Sequence, residues 1–173
     1  HNPTGVDPTP EQWPAILAAV RDADLVPFLD IAYQGFGESI EDDGLAVRLF
    51  AGSGLTFLVA SSFSKSFSLY GERVGALTIV DSSKEESSRV LSQLKRVIRS
   101  NYSTPPMHGG MVVTTVLGDP TLRGMWIKEL GEMRDRIKDM RRGLADRLKA
   151  RGLTQDLSYM VKQRGMFSYS GMN

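Results

Sequence analysis

Three short apolar runs, Leu25 to Tyr33, Thr56 to Phe63 and Val74 to Val80, set the limits on what this chain can fold into. Each is rich in β-branched or aromatic residues, too short for a surface helix, and separated from its neighbours by glycine or serine, which is the pattern of buried strands. Helical patterns lie around them. Asp43 to Ala51 reads as a short helix closed by Gly52, and Lys84 to Arg99 carries Val90, Leu91, Leu94, Val97 and Ile98 on one face. Met107 to Leu117 reads as a helix after the Pro105-Pro106 break. This alternation of helix with buried strand predicts an α/β fold whose predominantly parallel sheet is covered by helices.

Two helix starts are written in side chains. Thr9, Pro10 and Gln12 make a capping box in which the threonine hydroxyl caps a free N–H, worth about 1 kcal/mol. Trp13, Ile16, Leu17 and Val20 then follow at helical spacing as an apolar stripe. Asp119-Pro120 opens a much longer helix, with Leu122, Trp126, Leu130, Met133, Ile137, Met140, Leu144 and Leu148 three or four apart as far as Gly152. A helix of roughly 30 residues is far longer than the usual 11 to 12, which points to one that bridges two domains. Trp13, Trp126, Met133 and Met140 all read as packing residues on apolar faces.

Composition narrows the function. With 21 Lys and Arg against 20 Asp and Glu in 173 residues, there is no broad basic field for a nucleic acid or an anionic membrane, so any anion is held locally. The absence of cysteine excludes disulfides and thiolate metal sites and is compatible with the cytoplasm, while the two histidines, His1 and His108, argue against a metal site. No apolar run approaches the roughly 18 to 20 residues that cross a bilayer. The opening His1-Asn2-Pro3-Thr4-Gly5 shows no signal peptide and suggests a chain cut from something longer.

The chemistry concentrates in three places. In Ser61-Ser62-Phe63-Ser64-Lys65-Ser66-Phe67-Ser68-Leu69-Tyr70-Gly71-Glu72-Arg73-Val74-Gly75, a strand ends in hydroxyls and a lysine, with an arginine eight residues on. Partial desolvation of Lys65 at a strand end favours the neutral amine, the nucleophile of a Schiff base. Serines with an arginine fork suit a phosphate monoester. The plainer alternative is a polar turn with Lys65 solvated and Arg73 in a surface ion pair. Asp30-Ile31-Ala32-Tyr33-Gln34-Gly35-Phe36-Gly37 places an acid at a strand end with a tyrosine three residues on, which alone could simply cap a turn. Asn2-Pro3-Thr4-Gly5 is by itself a good turn sequence.

Taken together, HNPTG, DIAYQGFG and SFSKSFSLYGERVG, with the later Arg99 to Pro106 segment, closely resemble the fold-type I, class I pyridoxal-phosphate aminotransferases of the aspartate and aromatic amino acid branch, along the whole chain. The resemblance implies a partial PLP-dependent transferase-like fold. Residues 1–132 would be the later part of the large cofactor domain and 133–173 the start of the small domain. It also implies catalytic roles for Lys65, Asp30 and Tyr33: Lys65 as the lysine that holds the cofactor aldehyde and later shuttles a proton, Asp30 as the partner of the pyridine nitrogen. Asn2 and Tyr33 would hydrogen-bond the ring hydroxyl, and Ser62, Ser64 and Arg73 would bind the phosphate. Arg99 would reach into the neighbouring subunit's site of a homodimer and meet a substrate's distal carboxylate. Tyr70 receives no contact, and His108 reads as structural.

The implied reaction moves an amino group between an aromatic or acidic amino acid and 2-oxoglutarate, so the partners are amino acids and 2-oxo acids, with no nucleic acid and no membrane. The family's N-terminal phosphate loop and stacking aromatic ring would lie before His1, and the arginine that grips the substrate α-carboxylate beyond Asn173. Three alternatives stand beside this reading: aspartate aminotransferase proper, a silent phosphate-binding or interaction module, and a Schiff-base lyase using Lys65 without the cofactor. The last leaves Asp30 and Asn2 without a purpose.

Overall fold

The computed structural model describes residues 1–167 and 169. The apolar runs form strands β1 (Phe28–Ile31), β2 (Phe57–Ser62) and β3 (Gly75–Val80), in the sheet order β1-β2-β3. β1 and β2 are parallel, with Asp30 opposite Ala60 and Ile31 opposite Ser61. Helices α2 (Ile40–Asp43) and α3 (Leu45–Ala51) lie on the crossover between them, as parallel neighbours require. β3 instead runs antiparallel to β2, with Ser62 opposite Gly75. No helix spans residues 63–74, so the chain turns back along the sheet and the sheet is mixed.

One face of the sheet is covered. Leu17 from α1 (Trp13–Asp22), Phe50 from α3, and Phe57 and Val59 from β2 form the buried core, with Trp13, Leu29 and Val80 packed against it. Full burial of such side chains contributes roughly 1.5–3 kcal/mol each. The covering is incomplete, because Phe28 on β1 and Leu77 on β3 remain more than half exposed. Leu25 and Val26 are exposed as well, and the first strand is shorter than its apolar run; the missing N–H of Pro27 limits the ladder at that end.

The helix boundaries reveal which caps form. α1 has no side-chain cap, although the Gln12 carboxamide accepts from the Thr9 N–H at 2.9 Å, so only the glutamine half of the expected box exists. The helix expected over Asp43 to Ala51 forms as α3 and starts after Gly44, while a separate short helix, α2, capped by Ser39, precedes it. α4 (Lys84–Asn101) is capped by Ser83, and α5 (Met107–Gly118) follows the double proline. Asp119 accepts from the N–H groups of Thr121 and Leu122 at 2.8 and 2.9 Å and starts α6 (Pro120–Ala150) where the sequence places it.

α6 is buried at two places. Near its middle, Leu130 is 1% exposed and lies against Gly35, where φ of +93° and a Cβ that would overlap Leu130 Cδ2 both demand glycine. Further on, Ala145 packs with Leu157 and with Met160 of α7 (Ser158–Lys162), a helix with no clear sequence pattern. The apolar stripe between is only partly used: Met133 is half-buried, whereas Met140 is exposed rather than packed.

Candidate active site

The carboxyl ends of β1 and β2 meet the start of β3, and ligands of open α/β sheets sit at such strand ends. Here lies a cavity of about 240 Å³, lined by Asp30, Ser62, Ser64, Arg73, Val74 and Gly75 with Ala60 and Ser61. The Ser64 N–H donates to Ser62 Oγ at 3.3 Å, which draws the serine turn together. Arg73 adopts a left-handed φ of +52°, and its Nη1 donates to the Tyr70 carbonyl at 2.8 Å, fixing the guanidinium at the cavity wall. A Cβ at Gly75 would stand 2.7 Å from the Ser61 carbonyl oxygen, so only glycine allows the strands to approach at this edge.

Lys65 and Tyr33 form a separate pair, neither of them on the cavity wall: the ammonium sits over the phenol ring, 5.2 Å from its centroid, in a cation–π contact. Burial of the Tyr33 phenol, helped by nearby Tyr70, pushes its pKa above the ordinary tyrosine value. The ring is therefore neutral at neutral pH and keeps an O–H to donate. Its other neighbours are Phe167, edge-on at 6.4 Å, and Gly165, whose position would bring a Cβ to 3.3 Å from the ring.

The turn that carries Lys65 is held from α6. The Trp126 ring stacks on Phe67 at 4.5 Å, its Nε1–H donates to the Ser66 carbonyl at 2.7 Å, and Phe63 packs edge-on against Phe67. Trp126, which the sequence presents as a packing residue alone, thus also fixes the backbone beside Lys65. The partners of that bond are 60 residues apart, and no local pattern could have revealed it. Behind Tyr33, the Asp43 carboxylate accepts from the N–H groups of Gly35, Gly37 and Glu38 at 2.8, 2.8 and 2.9 Å, which sets the loop after the tyrosine.

The remaining residues lie apart from the cavity. Asn2 is exposed in the turn closed by the Gly5 N–H on the His1 carbonyl. Arg99 is exposed at the end of α4 and donates to Ser103 Oγ. His108 pairs with Glu72 at 3.0 Å on the surface, where α5 meets the turn before β3. Among the described residues no group of three or more histidines and carboxylates is placed to hold a metal ion, and no helix is long and apolar enough to cross a membrane.

A family model described as aminotransferase class I and II matches residues 1–173. The chain belongs to that family. It is 63% identical over 172 residues to the aspartate aminotransferase of Pseudomonas aeruginosa, covering 99% of this chain and 43% of the relative. It is 50% identical over 173 residues to the tyrosine aminotransferase of Klebsiella pneumoniae, covering 100% of this chain and 44% of the relative. Among solved structures, the aromatic-amino-acid aminotransferase from Burkholderia pseudomallei covalently bound to pyridoxal phosphate is similar at a TM-score of 0.98 and 65% identity, over 99% of this chain and 43% of that one. This aminotransferase-family chain therefore spans less than half the length of the relatives it matches. Its fold is the α/β arrangement of those structures, and its cavity joins a carboxylate on one strand to hydroxyls and a guanidinium on the next turn.

Proposed function

We propose that this chain is the central part of a pyridoxal-phosphate-dependent aminotransferase that moves an amino group between an aromatic or acidic amino acid and 2-oxoglutarate. The observation that carries the reading is the shared cavity of Asp30, Ser62, Ser64 and Arg73, because its donor set suits the cofactor at both ends. A carboxylate matches a protonated pyridine nitrogen, and two hydroxyls with a bidentate guanidinium match a phosphate monoester. Asp30 would pair with that nitrogen, Ser62, Ser64 and Arg73 would hold the phosphate, Lys65 would be the covalent anchor, and Tyr33 with Asn2 would hydrogen-bond the ring hydroxyl.

When bound, pyridoxal phosphate supplies an electron sink for the carbanion left at the substrate α-carbon. The chain's own residues do the rest. The Asp30 carboxylate keeps a proton on the nitrogen facing it. The neutral Tyr33 phenol donates its O–H to the oxygen it meets. The Lys65 amine, once free, would carry a proton between the substrate α-carbon and the cofactor, the general acid–base role of a positioned amine. Ser62, Ser64 and Arg73 hold the orientation in which these transfers occur.

The names of the relatives divide between aspartate and tyrosine or aromatic substrates, which supports both substrate classes and keeps aspartate aminotransferase proper as a second reading. A core built on the sheet and α1 and α3, and a separate one built by the end of α6 with residues 153–160, support a large-domain portion over 1–132 and a small-domain portion over 133–173. Arg99, exposed at the end of α4 and so free of this chain's own core, would act across a homodimer interface and face a substrate's distal carboxylate, in a protein of the cytoplasm. The test is to add pyridoxal phosphate to the full enzyme to which this chain is proposed to belong, record the visible absorbance of the lysine-bound cofactor, reduce with borohydride and map the peptides. Label on Lys65 is the expected result. A label on Lys84 or Lys95, or no visible band, overturns the reading and leaves a silent module.

A further inference from the structure

The segment 163–167 contacts all three motif-bearing regions. The Arg164 N–H donates to the Gly5 carbonyl at 2.7 Å, and a Cβ at Gly5 would stand 2.8 Å from the Phe167 carbonyl oxygen, so the two backbones lie in close contact. Gly165 and Phe167 cover the Tyr33 ring, and the Tyr70 hydroxyl donates to Met166 Sδ at 3.3 Å. This strap has little apolar packing of its own, since Met166 and Phe167 are both nearly half exposed. Glu38 pairs with Arg164 at its edge at 2.7 Å, and the guanidinium of Arg141, on α6 and only 8% exposed, grips its backbone at three points, donating to the carbonyls of Gln163, Gly165 and Phe167, the last two at 2.7 and 2.9 Å.

We infer that Arg141 is a positioning residue for Tyr33, clamping the strap 163–167 so that it covers the phenol ring and the N-terminal turn. A guanidinium suits this task because its N–H groups form a rigid planar fork that can meet several carbonyls at once, whereas an ammonium is a point donor on a flexible stem. The clamp faces the strap, and the small core of Ala145, Leu157 and Met160 packs without it. Glycine at 165 is part of the same device: φ is +75°, and a side chain would press on the Tyr33 ring. The inference deepens the proposed function, since it rests on Tyr33 being a site residue.

The test uses the cofactor-free chain with carbon-13 in its tyrosine rings, comparing wild type with Arg141→Met and Arg141→Lys. Release of the strap removes the edge-on Phe167 ring, so the Tyr33 ring resonance shifts in both variants. Exchange of the Arg164 amide hydrogen quickens by about tenfold or more while the amides of β2 keep their protection. Unmoved Tyr33 and Arg164 signals in a folded variant overturn the inference. Equal loss of protection in β2, or failure of both variants to fold, also overturns it, in favour of a general structural role. Because no cofactor is present, this result is independent of the absorbance test: a missing visible band sinks the cofactor reading and leaves the clamp standing, and unmoved signals do the reverse.

Discussion

Replacing Asp43 with alanine removes the acceptor of three backbone N–H groups, those of Gly35, Gly37 and Glu38, from the loop that follows Tyr33. Hydrogen bonds to a charged acceptor contribute roughly 1.5–3 kcal/mol each where water is excluded and about 1 kcal/mol where it is not. Gly35 and Gly37 are buried and Glu38 is exposed, so the first two N–H groups lose their partner without ready replacement by water. The expected cost is about 2–4 kcal/mol, large for a single substitution. Asparagine separates charge from geometry. Two of the N–H groups converge on Oδ2 and one on Oδ1, so an amide oxygen placed at the double site leaves its NH2 facing the Glu38 N–H. One bond is then lost and two donors are opposed, for about 1–2 kcal/mol. Urea unfolding followed by tryptophan fluorescence measures both, and the midpoint should fall with little change in slope. A loss under about 0.5 kcal/mol for Asp43→Ala, within the range of an ordinary surface change, refutes the argument that this carboxylate organises the loop.

Arg99→Leu, made in the full enzyme to which this chain is proposed to belong, should lower kcat/KM for dicarboxylic substrates by about ten- to a hundredfold and affect a monocarboxylic aromatic substrate less. Hybrid dimers of Arg99→Leu with Lys65→Ala subunits should regain dicarboxylate activity, and no recovery despite proven heterodimers would count against action across the interface. Glu38 bridges Lys138 of α6 and Arg164 of the strap at 2.7 Å each. Its hydrogen bond to Lys138 is the main cause that holds its pKa below the ordinary glutamate value, despite partial desolvation. A lowered folded-state pKa stabilises the fold above the unfolded value and ceases to do so as pH falls through the folded one. Glu38→Gln should therefore melt below wild type at neutral pH, with the gap closing in acid; a gap unchanged down to about pH 3 would contradict the ion-pair reading.

Much of this is legible in the chain because the signals are local. The Asp119-Pro120 start of α6 needs only a carboxylate within reach of the next N–H groups, and the structure keeps it. The Thr9 box has the same local logic and forms only its glutamine half, since the helix begins after Gln12. Asp30, Ser62, Ser64 and Arg73 stand out by strand-end position and residue type, and they line one cavity. Asn2 and Arg99 stand out only by resemblance and lie away from it.

Residue order alone determined the α/β class, the placement of the polar cluster at strand ends and the long helix, because apolar periodicity and caps act over a few residues. Three-dimensional packing decided the antiparallel return of β3, which depends on how residues 63–74 turn rather than on any pattern within the strand. It also decided the contacts that hold the site: Trp126 on the turn beside Lys65, Lys65 over Tyr33, and Arg141 on the strap. Trp126 and Ser66 are 60 positions apart, and Arg141 and Gly165 are 24 apart. At such separations a side chain's partner is set by where the whole chain folds back, and nothing in its own neighbourhood encodes it.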